Sequence, residues 1–301
     1  MAAGFGELAA LGTAVVWGAS NQIQSAVGQR IGANSVTLLR LPYQFVFLGC
    51  MCLLLGADTA LPPQAFALLL LSGFAGITLC DFMLYRAIYI IGPTMSVLLQ
   101  SLSAGFAAVF GWLFLGEHLP VQAWIGIAIT LAGVGWVVTE KSGSTLLPGM
   151  AIACGRTLAK GVALGLGTAL VLAMSFTFLK LALQTGVDPL WATFVRMVCG
   201  ALALWGFGLL KGWAGAALRS LRDNPHFLWV LMISCSCGAG GMWLSSIGMK
   251  YAPVGVVSTL IGLQPIMVTL IGSVWYRKMP SFRIVLGSLI AFGGTALVCL
   301  R

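Results

Sequence analysis

The chain is dominated by apolar stretches, each long enough to cross a bilayer. A helix that crosses the hydrocarbon core needs roughly 20 apolar residues. Ten such stretches can be read, at 7–27, 35–56, 65–87, 93–115, 121–139, 161–184, 189–211, 227–249, 253–275 and 282–300. Charged residues make up only 8% of the chain and hydrophobic ones 59%. A soluble domain carries about 25% charged residues, so this composition cannot supply a water-facing surface. The 39 glycines suit helices that approach closely in lipid. Strands of about ten residues with alternating polarity are not seen, which argues against a membrane β-barrel. The expected class is an all-α membrane protein with ten transmembrane helices.

The connections are short and carry turn residues, among them Gly32-Ala33-Asn34, Gly56-Ala57-Asp58, Gly92-Pro93, Leu119-Pro120, Asp188-Pro189, Ala252-Pro253 and Met279-Pro280. Proline is tolerated in a first helical turn, where no amide donor is lost. No Lys or Arg precedes Arg30, so a cleavable signal peptide is not expected.

The two halves repeat. Leu11-Gly12-Thr13-Ala14 returns as Leu166-Gly167-Thr168-Ala169, and Thr37-Leu38-Leu39-Arg40 as Thr193-Phe194-Val195-Arg196. Gly92-Pro93 corresponds to Ala252-Pro253, and Leu119-Pro120 to Met279-Pro280. The expected organisation is a first five-helix repeat at 1–140, a linker at 141–160 and a second repeat at 161–301. Five is odd, so the second half enters the membrane inverted, the arrangement of many secondary transporters.

Orientation follows from the basic residues. Connections after odd-numbered spans hold Arg30, Arg86, Lys141, Arg156, Lys160, Lys211, Arg219, Arg222, Arg277, Lys278 and Arg283, against Lys250 and Arg301 on the other side. This places the odd connections in the cytoplasm and both termini outside, in a multi-pass protein of the plasma (inner) membrane. The net charge of +9 is therefore a topology signal. It is not a nucleic-acid footprint, because no basic cluster is interleaved with aromatics on a soluble segment.

One tract is more specific than the rest. Gly92-Pro93-Thr94-Met95 opens a span that closes with Phe114-Leu115-Gly116-Glu117-His118-Leu119, followed by Gly126 and Leu131-Ala132-Gly133-Val134. This resembles the EamA-type repeat of the drug/metabolite transporter superfamily, and Trp17-Gly18 fits it as well. The second half departs from the pattern: Tyr276-Arg277 stands where Gly116-Glu117 would be, while Pro280, Gly287 and Gly293-Gly294 keep the rest. The resemblance implies a carrier with a central cavity lined by spans 1–4 and 6–9, with spans 5 and 10 peripheral. It implies a small metabolite as substrate, often exported, without fixing which one. Many members are thought to have cytoplasmic termini, whereas the charge count of this chain points the other way.

Polar groups deep in lipid are costly and therefore candidates for function. Asp81 lies about 10 Å from the end of span 3, at 1.5 Å per residue, and Arg40 lies at similar depth in span 2 on the same side. A salt bridge between them is expected, as either a structural lock or a site group. Arg196 is the repeat mate of Arg40, but Asp81 has Gly241 as its mate. Arg196 thus lacks an evident carboxylate, and Lys180 adds further positive charge on its side. Either Arg196 faces a cavity and takes a substrate carboxylate or phosphate, or it bonds backbone carbonyls or snorkels to the interface.

Trp17, Asn21 and Gln24 share one face of span 1. Ser96, Gln100 and Ser103 do so in span 4, and Asp81, Tyr85 and Tyr89 in span 3. Their second-half equivalents are largely apolar, which suits an amphipathic solute. Trp243 and Gln264 are candidate contacts from the second half. Each stripe serves equally well as helix–helix hydrogen bonding. Pro42 and Pro265 are candidate hinges.

An enzyme is not expected: no Ser/His, paired-Asp or HExxH constellation is present, and His118 and His226 sit in or beside connections. No phosphate-cradling loop of the GxxxxGK[ST] type is present, so nucleotide-driven transport is not expected. The eight cysteines lie almost entirely in apolar runs without a CxxC pair, so no metal or other cofactor is implied. The expectation is a secondary transporter of an amino acid or other amphipathic or anionic solute, exporting or exchanging by alternating access. Its partners are the substrate and the bilayer, without nucleic acid, as a monomer or homodimer. A non-transporting membrane scaffold and a carrier of lipid-linked groups are the alternatives.

Overall fold

A computed structural model describes residues 2–31, 33–142, 156–223, 226–264, 266–267 and 282–299, and among these no strand occurs. The helices are α1 (Ala2–Ile31), α2 (Ala33–Leu55), α3 (Pro63–Gly73), α4 (Cys80–Ser101), α5 (Ser103–Leu115), α6 (Val121–Ser142), α7 (Arg156–Gln184), α8 (Pro189–Leu210), α9 (Trp213–Asp223), α10 (His226–Tyr251), α11 (Val254–Ile261) and α12 (Phe282–Cys299). A π-helical segment, Phe74–Leu79, joins α3 to α4. Most of the expected linker, and Pro265, Tyr276, Arg277 and Pro280, lie outside the described residues.

Among the described residues five helical segments are long and apolar enough to cross a membrane: Ser35–Leu55, Pro63–Leu84, Leu158–Gln184, Pro189–Leu210 and Trp229–Tyr251. Three shorter ones, Leu99–Leu115, Val121–Trp136 and Val285–Val298, are also apolar. The first expected span falls within α1. Leucines such as Leu53, Leu54 and Leu210 stand exposed at 85%, 75% and 86%, as suits helices that face lipid. The protein is an integral, multi-pass membrane protein whose described elements are all helical.

Several turns form as their residues dictate. Asp188 caps α8, its carboxylate accepting from the Leu190 and Trp191 amides at 2.8 and 3.1 Å. Gly116 ends α5 with φ of 65°, the left-handed cap that favours glycine. Pro253 stops α10 and starts α11.

Gly92-Pro93 behaves less simply. Helical hydrogen bonding runs through residues 80–101, where a connection was expected. A straight helix would hold residues 80 and 100 about 30 Å apart, yet Gln100 Nε2 lies 4.0 Å from Cys80 Sγ. Small residues of α7 show the same reversal. Gly167 abuts Met83, Gly161 abuts Ile90 and Ile91, and Gly165 abuts Leu99. The axis therefore folds back between Ile91 and Leu99. Pro93, which lacks an amide donor, lies in that interval, and proline is an ordinary cause of a sharp kink.

Helices pack in pairs that return when the halves are exchanged. α1 lies on α10 and α7 on α3 and α4, while α2 meets α8, α5 meets α11 and α6 meets α12. Two serine pairs carry the first two contacts. Ser20 and Ser234 each donate to the other's carbonyl, at 2.8 and 3.0 Å. Ser72 and Ser175 do the same at 2.7 and 2.8 Å. Ser175 is the repeat mate of Ser20, and each pair joins corresponding helices of the two halves.

The α6–α12 crossing is built on glycine. A methyl group at Gly126 would stand 2.6 Å from the Gly294 carbonyl oxygen, and one at Gly133 would stand 2.8 Å from that of Gly287. Gly126 pairs with Gly287 in the repeat and Gly133 with Gly294, so this is one contact met twice. Thr130 and Thr295 hydroxyls lie 3.4 Å apart within it. A Gly294→Ala substitution is expected to destabilise the protein by about 1–3 kcal/mol, the usual penalty of overpacking. Gly293→Ala, where nothing lies within 4 Å of the added methyl, is expected to be neutral or mildly stabilising. Unfolding in mixed detergent micelles measures both.

Candidate functional site

The charged residues buried in the bundle form separate groups, each fixed by helix ends or small residues. In the first group Arg40 Nη2 of α2 meets Asp81 Oδ2 of α4 in the expected ion pair, with side chains 18% and 14% exposed. The pair sits just beyond the π-helical segment, in which the Cys80 amide bonds to the Ala75 carbonyl five residues back. π-bulges widen a helix and recur at functional sites.

Arg196 of α8 lies nearby and is 4% exposed. Its Nη2 donates to Ser175 Oγ at 3.0 Å, and its guanidinium stands 6.0 Å from the Phe176 ring centroid. Gly76 provides the room, since a methyl group there would lie 2.8 Å from Arg196 Nη2. Nε of Arg196 has no hydrogen-bond partner. Among the described residues no carboxylate pairs with Arg196. A buried guanidinium held by one hydroxyl and an aromatic ring is under-compensated, and an anion would complete it.

Gln100 joins this region through Cys80, and Cys80 Sγ in turn approaches the Thr168 carbonyl at 4.0 Å. Asp81, Arg40, Arg196 and Gln100 are thus gathered around one stretch, residues 72–81. Of the polar stripes, Ser96 and Ser103 are buried. The side chains of Asn21, Tyr85 and Tyr89 lie outside the described set.

Trp17 is held by α10. Its Nε1 donates to the Gly238 carbonyl at 3.0 Å, and a methyl group at Gly241 would lie 2.5 Å from its ring. The position equivalent to Asp81 is therefore glycine because an indole occupies the space. Gln24 Nε2 donates to Ser20 Oγ at 2.9 Å. Gln44, also buried, has its Nε2 2.9 Å from where a methyl group on Gly238 would stand. Trp243 is half-buried against a cluster that includes Leu41, Met197 and Cys235, and Gln264 is half-buried after α11.

The sequence reading missed the role of Glu117. Its Oε1 lies 3.7 Å from Lys180 Nζ, and Oε2 accepts from the Val254 amide at 2.8 Å. Lys180 Nζ donates to the Ala252 carbonyl at 2.8 Å. An acid thus caps the start of α11 while a base meets a carbonyl just past the end of α10, each favourable to the helix dipole. Lys180, expected to add positive charge on the side of Arg196, is thus paired with Glu117. The signal available was Gly116, whose left-handed cap turns Glu117 back over the helix end.

The model of the EamA-like transporter family matches residues 4–139 and again 159–300. A crystal structure of a protein 16% identical in sequence superposes with a TM-score of 0.74, covering 98% of this chain and 96% of that one. That likeness concerns the fold. No curated protein sequence matches the chain.

Breaking the Arg40–Asp81 pair leaves a charge without its partner inside the bundle, at a typical cost of about 3–5 kcal/mol. Asp81→Asn is expected to destabilise by that order, and the double variant with Arg40→Met is expected to recover most of it. Unfolding of both variants in detergent provides the comparison.

Proposed function

The chain belongs to the EamA-like transporter family, and on that premise we propose that it is a secondary carrier that moves a small amphipathic or anionic organic metabolite by alternating access. The family makes it a membrane transporter of the drug/metabolite type. The observation that carries the finer reading is Arg196, a guanidinium buried in the bundle with one hydroxyl partner and no carboxylate among the described residues.

The architecture proposed is ten spans in two inverted repeats, 1–140 and 161–301, joined by a linker at 141–160 and enclosing a central cavity. Support comes from the contacts that return on exchange of the halves: the two reciprocal serine pairs and the doubled glycine contact. Rocking of such repeats about a midplane site is how inverted-repeat carriers alternate access.

Arg196 binds the carboxylate or phosphate of the substrate in this reading. Gln100 flanks it from α4, Asp81 and Arg40 form a charged pair at its edge, and Trp17, Trp243 and Gln264 contribute from the facing helices; Tyr85 and Asn21 stay candidates by their sequence positions. Because Asp81 already has Arg40 as its counter-ion, exchange or facilitated export fits as well as proton antiport. The protein resides in the plasma (inner) membrane with both termini outside, as a monomer or homodimer.

The test begins with thermal stabilisation of the purified chain by a panel of small carboxylates and phosphates, since a bound ligand raises stability by mass action. Proteoliposome flux of the stabilising compound follows. Arg196→Ala is expected to raise the half-saturating concentration about 30-fold or more, corresponding to the ~2 kcal/mol minimum for truncating one partner of a buried, hydrogen-bonded charge pair. Arg196→Lys is expected to retain part of the affinity. Unchanged affinity in a folded Arg196→Ala protein refutes the assignment, and absence of flux for every stabilising compound favours the scaffold.

A further inference from the structure

A basic and aromatic patch spans the two halves at one face of the bundle. Lys211 follows directly on Leu209 and Leu210, exposed at 64% and 86%, which marks the point where α8 leaves lipid. Gly212, with φ of 72°, then turns the chain into α9. That helix has 11 residues, about 16 Å, too short to cross. Ala214 and Ala217 are buried on its inner side, while Leu218 is 54% exposed and its neighbour Arg219 is also exposed. Hence α9 packs alanines on the bundle while it presents a leucine and an arginine outward, the pattern of a helix lying in a membrane interface.

Cations from the other half reach the same place. Arg86 of α4 stands 4.2 Å from the Phe82 ring centroid, and Phe82 packs edge-on to Phe207 of α8 at 5.3 Å. Phe207 in turn packs on Trp213 at 5.5 Å and lies 5.9 Å from Lys211 Nζ. Arg86, Lys211 and Arg219 are all exposed, and the aromatic chain links the first two, Arg86 through Phe82 and Lys211 through Phe207. Of these rings Phe82 and Phe207 are half-buried, so the cations form the outer rim of a partly apolar ledge.

We propose that this ledge binds the headgroup of an anionic phospholipid from the adjoining leaflet. The basic rim supplies complementary charge for the phosphate. The bare leucines Leu209, Leu210 and Leu218 beside it call for acyl chains, which a free phosphate lacks. Each Lys or Arg near an anionic bilayer surface contributes about 1 kcal/mol. Arg86 and Lys211 supply two at the ring chain, and Arg219 of α9, bonded to its own Gly215 carbonyl, adds a third from the adjoining interfacial helix. Because Arg86 comes from one half and Lys211 and Arg219 from the other, the bound lipid bridges the halves. The site stands apart from Arg196 and does not depend on what the carrier moves.

The experiment uses the full chain in nanodiscs of phosphatidylcholine, alone or with phosphatidylglycerol, followed by native mass spectrometry of the retained lipid. Phosphatidylglycerol is expected to be retained over phosphatidylcholine, less so as salt screens the charges. Retention is expected to fall about fivefold for each of Arg86→Gln, Lys211→Gln and Arg219→Gln, while Arg86→Lys and Lys250→Gln, a control outside the ledge, leave it unchanged. Equal retention of the two lipids overturns the proposal. So does a triple glutamine variant that holds phosphatidylglycerol as the unaltered chain does. Stabilisation by inorganic phosphate alone equal to that by phosphatidylglycerol would mean an anion site and also overturn it.

Discussion

In hydrocarbon a polar atom has no water to fall back on, and helices have no hydrophobic drive to leave lipid for one another. What holds such a bundle is close approach of backbones and side-chain hydrogen bonds to them. In this protein those jobs fall to serine and glycine at a few crossings. Ser20 with Ser234, and Ser72 with Ser175, each tie two helices by reciprocal bonds from hydroxyl to carbonyl. Gly126 with Gly294, and Gly133 with Gly287, bring α6 and α12 to a separation that even one methyl group would disturb. The charged residues are arranged on a frame that these contacts have already set.

The frame and the charges obey different symmetries. Arg40 and Arg196 occupy equivalent positions, but Arg40 meets Asp81 whereas Arg196 meets Ser175. The difference traces to one exchange: an acid stands at position 81 in the first half, and at the matching position Gly241 leaves space for the ring of Trp17. The mate of Trp17 is Leu172, which has no indole to place. Divergence at a handful of positions thus gives one arginine a counter-ion and leaves the other for an anion, in the reading proposed above.

Much of this was legible in the sequence. Apolar length marked where the described helices lie, though five of them and not ten are long and apolar enough to cross a membrane, and the turn residues marked the ends at Asp188 and Pro253. The Arg40–Asp81 pair followed from depth and side alone, because both residues are local to adjacent spans. The reciprocal serines were not legible, since serine is common and their partners are set by which helices cross. Glu117 and Lys180 escaped for a related reason: they lie 63 residues apart and meet only where the ends of α5, α10 and α11 converge. The π-helical segment before Asp81 leaves no trace in a pattern of apolar residues. At Gly92-Pro93 the sequence predicts a connection, whereas helical hydrogen bonding continues across it and the fold-back is visible only in the contacts of Gln100 and Leu99.

The claim on which the account rests is that the second half is the first half inverted across the bilayer. Gly56 and Gly212 are repeat mates, and both have positive φ, 60° and 72°. Single cysteines at the exposed neighbours Asp58 and Lys211, in a chain whose other cysteines are replaced by serine, report the side of each turn through a membrane-impermeant thiol reagent on intact and opened vesicles. Inversion predicts opposite sides, with Lys211→Cys labelled from the cytoplasm and Asp58→Cys from outside. Labelling of both from the same side would contradict it.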